Sequence, residues 1–211
     1  QMNSEMDDKL TLAIRIFQDQ YPKHFLHQLI SSQLDMDRMD YLRRDSFFTG
    51  VTEGVIGSAR LIKMLDVYND QLVIEAKGIH SIEKFLIARR FMYWQVYFHK
   101  TAVAAERMLI KILGRAKELS LAGETLFATP ALAYFLTQSV TTETFDKQSE
   151  TLDHFILLDD SDILSAIKVW ADHNDVVLST LSRHFINRKL FKTTTCEPLS
   201  VSERADLLAA Y

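Results

Sequence analysis

The sequence predicts an all-α protein, mainly helical, with one small β-hairpin. Three observations carry that prediction. Gly and Pro are scarce, 6 and 3 of 211 residues, too few turn formers for a sandwich or barrel. Apolar residues recur at helical spacing along nearly the whole chain. A single stretch, LDVY and QLVIEAK around Asn69-Asp70, alternates apolar and polar residues as a hairpin does.

The elements follow in order. From Met6 to Gln18, residues Leu10, Ala13, Ile14 and Phe17 share a helical stripe. Pro22 stands where a first-turn proline is tolerated, and HFLHQLISSQL continues as a second helix. A third runs from Leu34 to Phe48. Gly50, Gly54 and Gly57 punctuate the chain before VIGSARLIKML, and the hairpin follows. Residues 81–119 then read as one long helix, rich in aromatics and methionine between Phe85 and Met108. Pro130 starts PALAYFLTQ. The polar TTETFDKQSE lacks periodicity, so Thr141–Glu150 is expected to be a flexible loop or subdomain boundary. DDSDILSAIKVWADH opens with Asp and Ser, as an N-cap does, and carries an apolar stripe. VVLSTLSRHFINRKLF ends in basic residues, as the helix dipole favours. SVSERADLL has the Ser200…Glu203 spacing of a capping box. No internal repeat is present. Two domains are expected, 1–120 and 121–211.

Composition excludes several classes. Lys and Arg number 24 against 28 Asp and Glu, a net charge of −4, which argues against a general nucleic-acid binder. The lone Cys196 permits no internal disulfide and fits a cytoplasmic protein. No apolar run approaches the roughly 20 residues of a membrane span, and the acidic QMNSEMDDKL is no signal peptide. A start at Gln1 rather than Met raises the expectation of a piece of a longer product.

Two stretches carry candidate chemistry. In LDMDRMDYLRRDSFFTGV, residues 34–51, Asp37, Tyr41 and Asp45 recur at i, i+4, i+8 on one helix face. Arg44 lies near that face, and Arg38 and Asp40 flank it. Carboxylates are hard ligands for Mg or Mn, and arginine clamps phosphate. On spacing alone, a solvated face with i, i+4 ion pairs is the favoured reading. In FLIARRFMYWQVYFHKT, residues 85–101, Arg89, Tyr93, Tyr97 and Lys100 form a second stripe among apolar faces. Core tyrosines with satisfied hydroxyls explain part of it. Cations on so apolar a helix call for an anionic partner. The remaining candidates are weaker. Gly50, Gly54 and Gly57 follow a helix rather than a strand and read as a turn, not a phosphate loop. His24, His27, His80, His99, His154, His173 and His184 show no metal-ligand spacing. Cys196 shows no sign of activation. Asp159, Asp160 and Asp162 read as a helix cap cluster rather than a cation loop.

Taken together, SSQLDMDRMDYLRRDSFFTGV resembles the last block of the HD-domain metal-dependent phosphohydrolases, in the deoxynucleoside triphosphate triphosphohydrolase (dGTPase-like) branch. FLIARRFMYWQVYFHK resembles that family's later helix, and NRKLFK at 187–192 its C-terminal part, so the likeness runs from about Ile14 to Lys192. The resemblance implies a helical fold and a metal-dependent enzyme, using Mg, Mn or a similar ion, that splits a dNTP into deoxynucleoside and tripolyphosphate. It implies that Asp37 is the final metal ligand and a catalytic residue. Arg38 stands at a basic position for the triphosphate, Tyr41 and Asp45 hold the deoxyribose, and Arg89 contacts phosphate. Tyr97 stands beside the sugar, where crowding selects deoxyribose over ribose, and Tyr93 takes a place that holds His in some members. Lys100 would help to neutralise the triphosphate, and with His99 it matches a pair that contacts a regulatory nucleotide in some members. Val96 departs from a basic residue there. The chain holds no His-Asp dipeptide, since Asp153-His154 and Asp172-His173 run in the reverse order. The resemblance therefore places the other metal ligands upstream of Gln1 and makes the chain inactive alone. It also implies a homo-oligomer, dimer or tetramer. The rival readings are a non-catalytic oligomerisation or interaction module built on the apolar helix, and HD chemistry on another nucleotide phosphoester.

Overall fold

A computed structural model describes residues 8–193 and 200–209. It is mostly helical, with one two-stranded antiparallel hairpin, as expected. The chain forms two compact units, 1–99 and 100–211. The expected division after residue 120 falls at the end of a helix that lies wholly in the second unit.

The first unit begins with α1 (Thr11–Phe17) and the short α2 (His24–Gln28). Next comes α3 (Met36–Thr49), whose start and stop are both local. The side chain of Asp35 accepts the backbone N–H of Arg38, and Gly50 closes the helix at φ 71°, a left-handed conformation that glycine adopts without strain. α4 (Ser58–Met64) leads into β1 (Leu65–Tyr68) and β2 (Gln71–Ile74), paired from Leu65↔Ile74 to Tyr68↔Gln71. Asn69 and Asp70 both take positive φ, 50° and 57°, as a two-residue I′ hairpin turn requires. The core gathers Met39 and Leu42 of α3, Ile56, Leu61 of α4, and Phe85, Ala88 and Met92 of α5 (Ile79–Met92). Gly54 lies against it, where a Cβ would stand 2.4 Å from Met92 Sδ. That close approach explains the glycine without any phosphate loop.

Two expectations change here. The second helix stops at Gln28, because Ser32 and Asp35 turn the chain into α3. Residues 81–119 are not one helix. After α5 comes a single π-turn, Tyr93–Tyr97, closed by the Phe98 N–H donating to the Tyr93 carbonyl at 2.8 Å. Apolar periodicity does not register a change from i+4 to i+5 bonding.

The second unit opens with α6 (Lys100–Leu121), which buries Ala104, Met108, Ile112, Ala116 and Leu119 in one stripe. α7 (Pro130–Thr137) starts at a Thr129 cap with Pro130 in its first turn. The expected loop is helical: α8 (Thr142–Lys147) and α9 (Ser149–Leu157) occupy it. A Thr141/Thr144 capping box and a Glu143–Lys147 pair at 3.0 Å supply the local support that periodicity did not reveal. α10 (Asp160–Trp170) is capped reciprocally by Asp159 and Asp162, which accounts for the aspartate cluster. α11 (Val176–Ile186) ends before Arg188, at φ 54°. α12 (Val201–Ala209) carries both halves of the Ser200/Glu203 box, at 3.3 and 2.8 Å. The core centres on Trp170, Ile112, Ile167 and Leu178. Cys196 and the expected helix start at Met6 lie outside the described residues. No helix among those described is long and apolar enough to cross a membrane.

Asp175 caps α11 through the Leu178 N–H at 2.7 Å and meets Arg115 with both oxygens, at 3.2 and 2.7 Å. The guanidinium, then the Leu178 N–H, hold this carboxyl down at about 2. Its folded value is below its unfolded one, so the stabilisation is present above about pH 4 and is lost as pH falls through about 2. Asp175→Asn keeps a cap and loses the charge. We expect the melting-temperature gap between wild type and Asp175→Asn to be open at pH 7 and to close toward pH 2. A gap of constant size would rule out this pairing as the cause.

Candidate functional site

The first unit brings five of the predicted residues into one cluster. Tyr41 and Asp45 lie one turn apart on α3, Arg89 on α5, and Tyr93 and Tyr97 at the two ends of the π-turn. The Tyr97 hydroxyl donates to Asp45 Oδ2 at 2.7 Å, across 52 residues of sequence. Tyr41 and Tyr93 set their rings edge-on to Tyr97, with centroids 6.1 and 5.0 Å away. The Arg89 guanidinium lies 5.5 Å from the Tyr93 ring centre.

The electrostatics follow from that packing. Burial, then the hydrogen bond to Asp45 and its charge, push the Tyr97 phenol far above its ordinary value. Tyr41 is raised too, first by burial and then by Tyr93, against the pull of Arg89. Burial opposes the Arg89 charge, but hydrogen bonds to the Tyr93 and Tyr41 phenols outweigh it and raise its pKa. The result is a guanidinium, three phenols and the Asp45 side chain on a single wall. Arg89 Nε is buried with no hydrogen-bond partner among the described residues. Such a wall suits a ligand that carries negative charge at one end and hydroxyls at the other.

The other predicted residues stand differently. Asp37 is exposed in the first turn of α3. Arg38 does not face solvent freely: its Nη1 pairs with the Asp35 carboxylate and donates to the Ser32 carbonyl at 2.7 Å. Arg44 pairs with Asp40 in the i, i+4 manner of a solvated helix face. Lys100 is exposed and opens α6 in the second unit. Sequence reasoning missed Asp35, a residue only 2% exposed. Its signal was present, an Asp directly before a helix with a basic residue at the third helical position.

No group of three or more His, Cys, Asp or Glu that could hold a metal ion occurs among the described residues. The Asp37 carboxylate by itself does not fit a divalent ion, which takes about six oxygen ligands. A separate cavity of about 630 Å³ opens on another side of α3, lined by Arg43, Arg44, Phe47 and Phe48 among others. It takes in Asp40 and Arg44 but none of the tyrosine-wall residues, and its lining is largely apolar, so the tyrosine wall is the better chemical candidate.

The family model "HD associated region" matches residues 56–128. A solved phosphohydrolase from Bacteroides thetaiotaomicron is 60% identical, with a TM-score of 0.94 over 99% of this chain and 52% of its own. The uncharacterized protein YwfO of Bacillus subtilis is 41% identical over 170 residues, 81% of this chain and 37% of the relative. A deoxynucleoside triphosphate triphosphohydrolase SAMHD1 homolog from Dictyostelium discoideum is 28% identical over 88 residues, 40% of this chain and 17% of the relative. The chain thus spans about half or less of the length of these proteins. The findings support an HD phosphohydrolase family.

Proposed function

We propose, from an HD associated region and a close phosphohydrolase neighbour, that this chain is part of a metal-dependent dNTP triphosphohydrolase. The whole protein would split a dNTP into deoxynucleoside and tripolyphosphate. The observation that carries the reading is the joint wall of Arg89, Tyr41, Tyr93, Tyr97 and Asp45, held by the 2.7 Å bond between Tyr97 and Asp45.

In this reading Arg89 and Arg38 bind the triphosphate and offset charge that develops on it. Asp45 and Tyr41 hydrogen-bond the sugar, and their fixed placement lowers the barrier by orientation. The Tyr97 ring and hydroxyl close the space next to the sugar, where a ribose has one more oxygen to place. A divalent ion, Mg or Mn, would supply Lewis-acid chemistry. Asp37 is the ligand this chain offers it, and the remaining ligands must come from beyond the described residues. We propose further that the whole protein is a cytoplasmic homo-oligomer. Exposed Ile87, Trp94 and Phe98 are among the apolar side chains available for such a contact.

The test is product identity. Incubated with a dNTP pool and Mg or Mn, the full-length protein releases tripolyphosphate and deoxynucleoside, while this chain alone releases neither. Release of orthophosphate or pyrophosphate instead sends the reading to another phosphoester. No turnover with any nucleotide leaves the helical interaction module as the better account.

A further inference from the structure

We propose that Asp35 is a positioning residue that holds the Arg38 guanidinium through Nη1, so that the uncommitted Nη2 meets an anionic group of the substrate. The proposal rests on the phosphohydrolase reading above. Asp35 is 2% exposed and uses both oxygens. Oδ1 accepts the Arg38 backbone N–H at 2.7 Å, which caps α3. Oδ2 accepts the Ser32 N–H at 3.2 Å and the Arg38 Nη1. Nη1 donates in addition to the Ser32 carbonyl at 2.7 Å, so one nitrogen of the guanidinium is held from two directions.

The carboxylate therefore has two separable tasks. The cap needs only an oxygen at position 35. The clamp needs a charge, because a buried carboxylate requires a cation and Arg38 supplies it. The clamped arginine keeps unused donors. Its Nε is buried with no partner, and its Nη2 makes no hydrogen bond or ion pair among the described residues. Arg38 sits next to Asp37 and one turn before Tyr41, on the helix that carries the site. An arginine already held in one orientation loses less freedom when an anion binds. Asp35 acts through Arg38 and touches no substrate itself.

The two tasks separate by substitution. Asp35→Ser keeps a cap and removes the clamp. In the full-length protein we expect Asp35→Ser to raise KM for a nucleoside triphosphate about tenfold with a smaller change in kcat, which is the cost of ordering one long side chain. In an Arg38→Met background the same substitution should change KM no further. An equal KM loss in that background overturns the proposal, because Asp35 would then act through the fold at large. Asp35→Asn, similar in size and also a good cap, takes the place of Asp35→Ser in the cycle if the serine variant does not fold. The NMR heteronuclear NOE of the Arg38 Nε–Hε group in this chain separates the two layers. A rigid Arg38 in wild type that becomes mobile in Asp35→Ser establishes the clamp. If that holds while the full-length protein hydrolyses nothing, the phosphohydrolase reading fails and the clamp stands. An Arg38 equally rigid in both proteins refutes the clamp whatever the activity.

Discussion

We expect Asp37→Ala in the full-length protein to abolish the proposed metal-dependent dNTP turnover, a loss of at least about a thousandfold, and to leave the melting temperature nearly unchanged. The two halves of that expectation have different sources. Asp37 is exposed, and among the described residues it makes no hydrogen bond or ion pair that the fold would miss. The cap of α3 is Asp35, not Asp37, so the helix keeps its start. What stability Asp37 adds is its charge near the helix N-terminus, about 0.3–1 kcal/mol. The activity loss follows from its proposed place as a metal ligand, since a catalytic ion deprived of a ligand loses affinity and geometry together. Paired calorimetry and kinetics check it. An Asp37→Ala protein with wild-type turnover removes Asp37 from the site.

Trp170→Ala should have the largest effect on stability. Trp170 is 1% exposed in the second core, and its indole N–H donates to the Phe127 carbonyl at 3.0 Å. Truncation opens a cavity among Ile112, Ile167 and Leu178 and strips the carbonyl of its donor. The cost is about 3–5 kcal/mol. A domain is stable by only about 5–15 kcal/mol in all, so the second unit unfolds at much lower temperature or denaturant. Trp170→Phe, which fills most of the space, should cost far less. Denaturant melts followed by circular dichroism decide it, and equal midpoints for wild type and Trp170→Ala would falsify the packing described here.

Much of this architecture is written locally. Asp35 and Gly50 bound α3, Asp159 with Asp162 and Ser200 with Glu203 start their helices, and Asn69-Asp70 turns the hairpin; each is a short-range signal. The i, i+4, i+8 spacing put Tyr41 and Asp45 on one face without help from tertiary structure. What the spacing could not show is that Tyr97 reaches Asp45, because that bond joins elements 52 residues apart. Only the family resemblance linked the two stripes. The π-turn was invisible for a different reason: one extra residue in a turn leaves composition and apolar content unchanged. TTETFDKQSE misled because its helices are short and held by caps and an ion pair rather than by an apolar stripe. The pairing of Arg38 was not legible either, because spacing does not reveal that the Asp35 carboxylate three residues before it is buried and bound to it.

The central claim is that the wall of Tyr41, Asp45, Arg89, Tyr93 and Tyr97 recognises a deoxynucleoside triphosphate. The most direct test is the ratio of kcat/KM for a dNTP over the matching rNTP, measured in the full-length protein and in Tyr97→Ala. The account predicts a strong preference for the deoxy substrate in wild type, and its collapse by at least about tenfold once the ring and its bond to Asp45 are gone. A ratio that survives in Tyr97→Ala, with both turnovers still measurable, would contradict the assignment of this wall to the sugar.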